Sequence, residues 1–245
     1  MNLSKKYAKE CRQFAEICHR LAAKSFVTSV GGNLARRVEE NVILISATCF
    51  RKENYKPGDV VFINAQGQVL EGRHKPTGEM WLYINLFKER PDVRSIIHCH
   101  PPCCCAYTVT TAPNLLMRPN FPELVMEIGP VPLVPYETPL SPKTGHNFKP
   151  FLQKYNAFLM EDHGLVLLTQ RDLEWAGGLI EELEAAANSL LRAQALGPIR
   201  EISRAELVEM DKFLDVRGLP RCGAPGVNAS LADLYFGSKE IRPKS

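Results

Sequence analysis

At 245 residues the chain can bury a full core, as one large domain or two small ones. A hydrophobic fraction of 45%, a charged fraction of 23% and a net charge of +3 with mixed signs exclude the electrostatic footprint of a nucleic-acid or polybasic membrane binder. No apolar run reaches membrane-spanning length, and the N-terminus leads into an amphipathic pattern rather than an unbroken apolar signal core, which points to a cytoplasmic protein.

The first predicted element is a helix over Ser4 to Ala23, because Tyr7, Cys11, Phe14, Ala15, Cys18, Leu21 and Ala22 recur at helical spacing between charged residues. The loop Ser29-Val30-Gly31-Gly32-Asn33 follows. Its glycines can bring backbone N–H groups close to a ligand, or simply turn the chain from helix to strand. Two hairpins come next, Asn33 to Val38 with Asn41 to Ser46, and Val60 to Asn64 with Gln68 to Glu71, separated by the turn Lys56-Pro57-Gly58-Asp59. Hairpins imply antiparallel pairing. In Lys75-Pro76-Thr77-Gly78-Glu79-Met80, Thr77 reads as the N-cap of a helix that runs to about Lys88 and stops before Pro91. Glu79 falls in its first turn, where a carboxylate ordinarily complements the helix dipole.

Ser95 to Cys99 is short, apolar and β-branched, a strand stopped by Pro101-Pro102. Side chains alternate along a strand, so His98 and His100 share a face at its end. Alone, His-x-His suits two backbone-bonded histidines as well as half of a metal site. Beyond it the pattern predicts a short helix over Cys103 to Val109, an irregular stretch from Asn114 to Glu127, a strand over Val131 to Tyr136 and a helix within Pro142 to Tyr155. Strands Ala157 to Met160 and Leu165 to Leu168 flank Glu161-Asp162-His163-Gly164, a sharp corner whose bend Gly164 is expected to permit. Asp172 to Leu196 is a long helix with an Ala-rich stripe. Ser203 to Glu206 has the form of a capping box, opening a last helix with Leu207, Met210, Phe213 and Leu214 inward. This divides the chain into a domain over 1–216 and a C-terminal tail over 217–245, where Leu231 to Phe236 supplies the apolar anchors.

The eight cysteines contain no Cys-x-x-Cys pair, and Cys103, Cys104 and Cys105 are consecutive. They are expected to be reduced, small hydrophobes rather than disulfides or a zinc ribbon. Two imidazoles on one strand, a third at a distant corner and a carboxylate at a helix start suit a three-histidine zinc-type site with its fourth position open. A metal there would act as a Lewis acid on a carbonyl or hydroxyl oxygen, with Glu79 as the base.

Gly31-Gly32-Asn33, Leu44-Ile45-Ser46-Ala47-Thr48, Pro76-Thr77-Gly78-Glu79, Arg90-Pro91-Asp92, His98-Cys99-His100-Pro101 and Asp162-His163-Gly164-Leu165 occur in this order. Together they resemble the class II aldolase/adducin family, of the L-fuculose-1-phosphate aldolase type, from about Lys5 to Leu196. The resemblance implies an α/β fold, three layers α/β/α around a mostly antiparallel sheet, and a cyclic homotetramer with active sites at subunit interfaces. It implies reversible cleavage of a ketose 1-phosphate, such as L-fuculose 1-phosphate, into dihydroxyacetone phosphate and an aldehyde through a metal-stabilised enediolate. By the same resemblance His98, His100 and His163 match the metal ligands, with zinc the usual ion and manganese or another divalent cation as alternatives. Glu79 matches the catalytic acid/base, which also ligates the metal when substrate is absent. Gly32, Asn33, Thr48, Thr77 and Gly78 fall on the segments that cradle the substrate phosphate.

There are departures from that pattern. Thr77-Gly78 stands where the aldolases have Ser-Ser, which loses a hydroxyl but keeps the Gly78 N–H, and Cys49 stands where glycine is usual. The family's tyrosine proton donor has no counterpart in Met117 to Glu123; Glu123 and Tyr235 are the candidates for that role. A ribulose-phosphate 4-epimerase is the runner-up, with sugar-acid dehydratases and decarboxylases behind it. Outside the enzymes stands a non-catalytic adducin-like binding domain, against which the complete set His98, His100, His163 and Glu79 weighs.

Overall fold

The amphipathic N-terminal pattern forms two helices, α1 (Leu3–Lys6) and α2 (Ala8–Ala23), in the computed structural model, which describes residues 2–28 and 30–237. Ser29 of the predicted loop and 238–245 of the predicted tail lie outside the described residues. The expected single helix breaks at Tyr7, with φ −107° and ψ 34°, where the Tyr7 hydroxyl and the Lys6 ammonium both donate to the Glu39 carboxylate. The Glu71 carboxylate accepts the Leu3 and Ser4 N–H groups at 2.7 and 3.0 Å, satisfying donors that a helix start leaves free.

The hairpins appear as β1 (Asn33–Glu39), β2 (Val42–Ile45), β3 (Val61–Ile63) and β4 (Val69–Glu71). Then come α3 (Met80–Glu89), β5 (Ser95–Cys99), α4 (Pro102–Ala106) and α5 (Pro122–Glu127). They are followed by β6 (Leu133–Val134), α6 (Lys149–Leu152), β7 (Ala157–Met160), β8 (Gly164–Thr169), α7 (Leu173–Ala193), α8 (Arg204–Arg217) and α9 (Leu231–Phe236). The strands form one sheet in the order β4-β3-β2-β1-β5-β8-β7-β6, with β6 and β7 parallel and the other neighbours antiparallel. Helices cover both faces, giving the expected three layers. No helix among the described residues is long and apolar enough to cross a membrane.

Several boundaries move for local reasons. The strand expected over Val131 to Tyr136 shrinks to two residues, because Pro132 and Pro135 carry no N–H for a ladder. The stretch expected to be irregular contains α5, started by Pro122 at its first position, where a missing N–H costs nothing. Phe213, expected inward, faces out with the Arg217 guanidinium 4.6 Å from its ring centre. Leu207 and Leu214 of α8 do turn inward, joining Val125, Leu231 and Ala232 in a second apolar cluster. The Asp211 carboxylate pins α9 there, accepting the Leu231 and Ala232 N–H groups at 2.9 and 3.3 Å and Arg221 Nε at 2.7 Å.

Arg90 fixes the passage from α3 into β5. Only 1% exposed, it pairs bidentately with Asp92 at 2.8 and 2.7 Å and donates to the Leu152 and Tyr155 carbonyls at 2.7 and 3.1 Å. Arg90→Met removes the principal donor from a part-buried carboxylate and two carbonyls. It should destabilise the fold by about 3–5 kcal/mol, read as a lower urea midpoint in circular dichroism.

Candidate metal and acid–base site

Antiparallel pairing places the end of β5 beside the start of β8, since the register matches Cys99 with Leu165 and His98 with Val166. On the other side β1 is also antiparallel and pairs Asn33, its first residue, with His98. Three strand ends therefore meet, and they deliver Asn33, His98, His100 and His163 to one place. The imidazole centres lie 4.8, 4.6 and 5.4 Å apart, and one ring nitrogen from each histidine lies within 4.8 Å of the others.

The corner at His163 is built differently from expectation. Asp162 takes the left-handed conformation, φ 53°, while Gly164 does not. Gly164 is required by proximity instead: a Cβ there would come within 2.5 Å of His100 Cδ2 and 2.7 Å of the Cys99 carbonyl. Gly31 approaches the same ring, its hypothetical Cβ 3.1 Å from His100 Cε1. Two glycines thus border the His100 imidazole, a role the sequence reading missed.

Thr77 does not cap α3. The helix starts at Met80, Glu79 is its N-cap residue, and Thr77 Oγ1 accepts the Glu79 N–H at 3.3 Å. The Glu79 carboxylate makes no capping bond. It reaches across to the strand ends, where Asn33 Nδ2 donates to Oε2 at 2.6 Å. Oε2 lies 3.9 Å from His98 Nε2, and Oε1 lies 3.8 Å from His163 Nε2. The dipole reading of this carboxylate therefore gives way to a site reading. Asn33, expected in the phosphate cradle, bonds here to the Glu79 carboxylate.

His98 is fully buried and its Nδ1–H donates to the Leu165 carbonyl at 3.0 Å, which leaves a lone pair on Nε2. Burial, reinforced by His163, pushes the His98 imidazole down to about 3. Burial, with His98 and His163 adding to it, pushes His100 to about 3 against the opposing pull of Glu79. Both rings are neutral at ordinary pH, the form that binds a cation. The buried nitrogens His98 Nε2, His100 Nε2 and His163 Nδ1 have no hydrogen-bond partner among the described residues. Unpaired buried nitrogens are costly, and a divalent ion that takes three neutral imidazoles at roughly 2.0–2.1 Å would satisfy such a donor set. The donors fit a metal, with Glu79 placed to join them.

The other predicted residues sit on adjoining backbone. Ala47 bridges to Pro76; Thr77 N–H donates to the Ser46 carbonyl at 2.8 Å and Thr48 N–H to the Lys75 carbonyl at 2.9 Å. Thr48, Thr77 and Gly78 are thereby brought side by side. The backbone N–H groups of Cys49, Phe50 and Gly78 have no acceptor among the described residues. Gly32, at φ 75°, turns the chain into β1 against Val27, whose Cγ1 would stand 2.5 Å from any Cβ. Glu123 lines a surface hollow with Glu182, Ala185 and Ser189, and Tyr235 packs against the second cluster. Neither meets the histidines within this chain. All eight cysteines are free thiols.

The family model described as the Class II Aldolase and Adducin N-terminal domain matches residues 12–191. The chain is 28% identical over 191 residues to a 3-oxo-tetronate 4-phosphate decarboxylase of Escherichia coli, covering 76% of this chain and 88% of that one. It is 25% identical over 212 residues to a 5-deoxy-D-ribulose 1-phosphate aldolase of Bacillus thuringiensis, covering 86% and 97%. Among solved structures it is similar to YgbL of Klebsiella pneumoniae, with a TM-score of 0.75 and 25% identity over 82% of this chain and 97% of that one. With the ordered motifs, the eight-stranded sheet and this match across most of its length, the chain belongs to the class II aldolase/adducin family.

Proposed function

We propose that this chain is a divalent-metal lyase that cleaves a ketose 1-phosphate of the L-fuculose 1-phosphate type into dihydroxyacetone phosphate and an aldehyde. The family is divalent-metal dependent. Zinc is the ion we assign to His98, His100 and His163, with manganese as the substitute. A cytoplasmic homotetramer with active sites at subunit interfaces is the assembly we assign. One observation carries the reading: three imidazoles, each with a ring nitrogen within 4.8 Å of the others, converge beside the Glu79 carboxylate, which accepts from Asn33.

Lewis-acid stabilisation of the negative charge that builds on the substrate's carbonyl oxygen is the chemistry a bound divalent ion supplies. In cleavage, the C4 hydroxyl loses its proton to a base, the C3–C4 bond breaks, and its electron pair moves onto the carbonyl to give an enediolate. Glu79 then delivers a proton to C3, and in the reverse direction it removes that proton. Asn33 keeps the Glu79 carboxylate turned toward the reacting carbon rather than back along its helix. The free N–H groups of Cys49, Phe50 and Gly78, with the Thr48 and Thr77 hydroxyls, supply neutral donors for the phosphate.

A specific observation favours a second reading, decarboxylation of a phosphorylated 3-oxo sugar acid. Within one chain Glu79 is the acid–base side chain brought to the histidines, and Glu123 and Tyr235 stand elsewhere. Loss of carbon dioxide leaves the same enediolate but needs no base for a hydroxyl proton, so one proton-transfer group suffices. The similarity to a 3-oxo-tetronate 4-phosphate decarboxylase agrees with it.

Substrate panels followed for the aldehyde and, separately, for carbon dioxide should give turnover in one channel; turnover in neither, together with no bound metal, returns the chain to the adducin-like binding class. Purified protein should hold about one divalent ion per chain, lose turnover on chelation and regain it with zinc or manganese. Glu79→Ala should cut kcat by about 10²–10⁴-fold while the far-ultraviolet spectrum is kept. Unchanged turnover in that variant removes Glu79 from the mechanism.

A further inference from the structure

The loop that carries Thr48 folds over a lysine of its own. Lys52 opens a one-turn 3-10 helix, Lys52–Asn54, and its side chain is 0% exposed. The fold of the loop is set by the buried Tyr55 hydroxyl, which accepts the Ala47 N–H at 2.9 Å and donates to the Asp59 carbonyl at 3.1 Å. Inside it, the Lys52 ammonium has one acceptor, the Phe50 carbonyl at 3.1 Å. No carboxylate lies within ion-pair distance of it among the described residues. The titratable groups near enough to act on its charge are the Cys18 thiol of α2, Glu79 at the start of α3, and Cys49 and Glu53 of its own segment. Burial lowers the amine's affinity for its proton, and these groups restore part of it.

A buried ammonium with one acceptor and no counter-ion is a costly group to keep. Its place is informative, because the carbonyl it meets belongs to Phe50, whose N–H, like those of Cys49 and of Gly78 on the adjoining segment, has no acceptor among the described residues. Those donors are neutral; the charge that would balance a phosphate dianion is the one beneath them. We propose that Lys52 is the buried cation of a phosphate site formed by the Thr48–Phe50 loop and Gly78. The inference rests on the phosphorylated-substrate reading above and adds the residue that carries the positive charge. The ammonium acts as a fixed charge across one thickness of backbone, where little water screens it.

The test uses zinc-loaded, full-length protein, with inorganic phosphate as the probe in titration calorimetry and the preferred sugar phosphate in steady-state kinetics. Lys52→Met removes the charge and fills the same volume. Lys52→Gln removes the charge but keeps a donor for the Phe50 carbonyl, and it carries the test if the methionine variant does not fold. Both variants should weaken phosphate binding about tenfold or more and raise KM in step, with kcat and zinc content close to wild type. A merely structural lysine would leave the phosphate Kd within about twofold of wild type in a folded variant, and that result overturns the proposal while leaving the lyase reading intact. Wild-type protein that binds no phosphate and turns over the unphosphorylated sugar as well as its phosphate overturns the Lys52 site together with the phosphorylated-substrate assignment, a distinguishable failure.

Discussion

The pairing of β5 with β8 is the interaction on which the site depends. Ladder hydrogen bonds alone set where His98 and His100 stand relative to His163, sixty-odd residues on in sequence. A slip of one residue in β5 would turn His98 and His100 to the opposite face and present Cys99 in their place. The register is held at the far end, where Arg94 N–H donates to the Thr169 carbonyl at 2.8 Å and Ser95 Oγ to the Arg171 carbonyl at 2.8 Å. It is held at the near end by the absence of side chains at Gly31 and Gly164, which lets the corner close on the His100 ring. Arg90 positions the segment that enters β5, so a fully buried cation well away from the histidines also serves their alignment.

That alignment creates an electrostatic environment of one kind. The His98 and His100 imidazoles are kept neutral by burial and by the neighbouring rings, so neither has to lose a proton before a cation binds. Glu79 is turned away from the helix it precedes and toward the rings. One turn further along α3, Tyr83 is fully buried, and burial, with the charge of Glu79 adding to it, holds that phenol protonated. A carboxylate in such surroundings interacts strongly with whatever charge arrives at the histidines, because little solvent intervenes.

Much of this was legible in the residues, for reasons that differ by element. Alternation and β-branching fixed β5 to the residue, since Pro101 and Pro102 end it without ambiguity. The capping box at Ser203 is local chemistry and was readable as such. Three imidazoles could be nominated from their residue type and the resemblance, but not their convergence, because the order β1-β5-β8 is decided by long-range packing. Glu79 illustrates the limit more sharply. Its local sequence supports dipole complementation, and the bond from Asn33, forty-six positions away, is what turns it outward. Phe213 and the position of α5 failed for the opposite reason: short, weakly periodic segments carry too few residues for pattern to outvote tertiary contact.

The two departures at the substrate end have a common physical root in neighbouring loops. Leu140, at φ 66° and 65% exposed, lays its side chain against Gly78, and a Cβ at position 78 would stand 2.8 Å from Leu140 Cδ2. A serine there would need the exposed Leu140 side chain to swing aside, so position 78 is coupled to the loop before α6. The loop is pinned by Asn85 Nδ2, which donates to the Pro142 and Thr144 carbonyls at 3.2 and 2.9 Å, and by Glu137, which accepts the Gly145 N–H at 2.9 Å. At the other departure Cys49 adopts φ 50°, a conformation glycine would take more readily, and the turn persists because Tyr55 and the Ala47–Pro76 bridge hold both sides of it. The end of the site that we assign to the anionic group therefore combines backbone donors with one apolar wall, Leu140, and with the buried Lys52 ammonium.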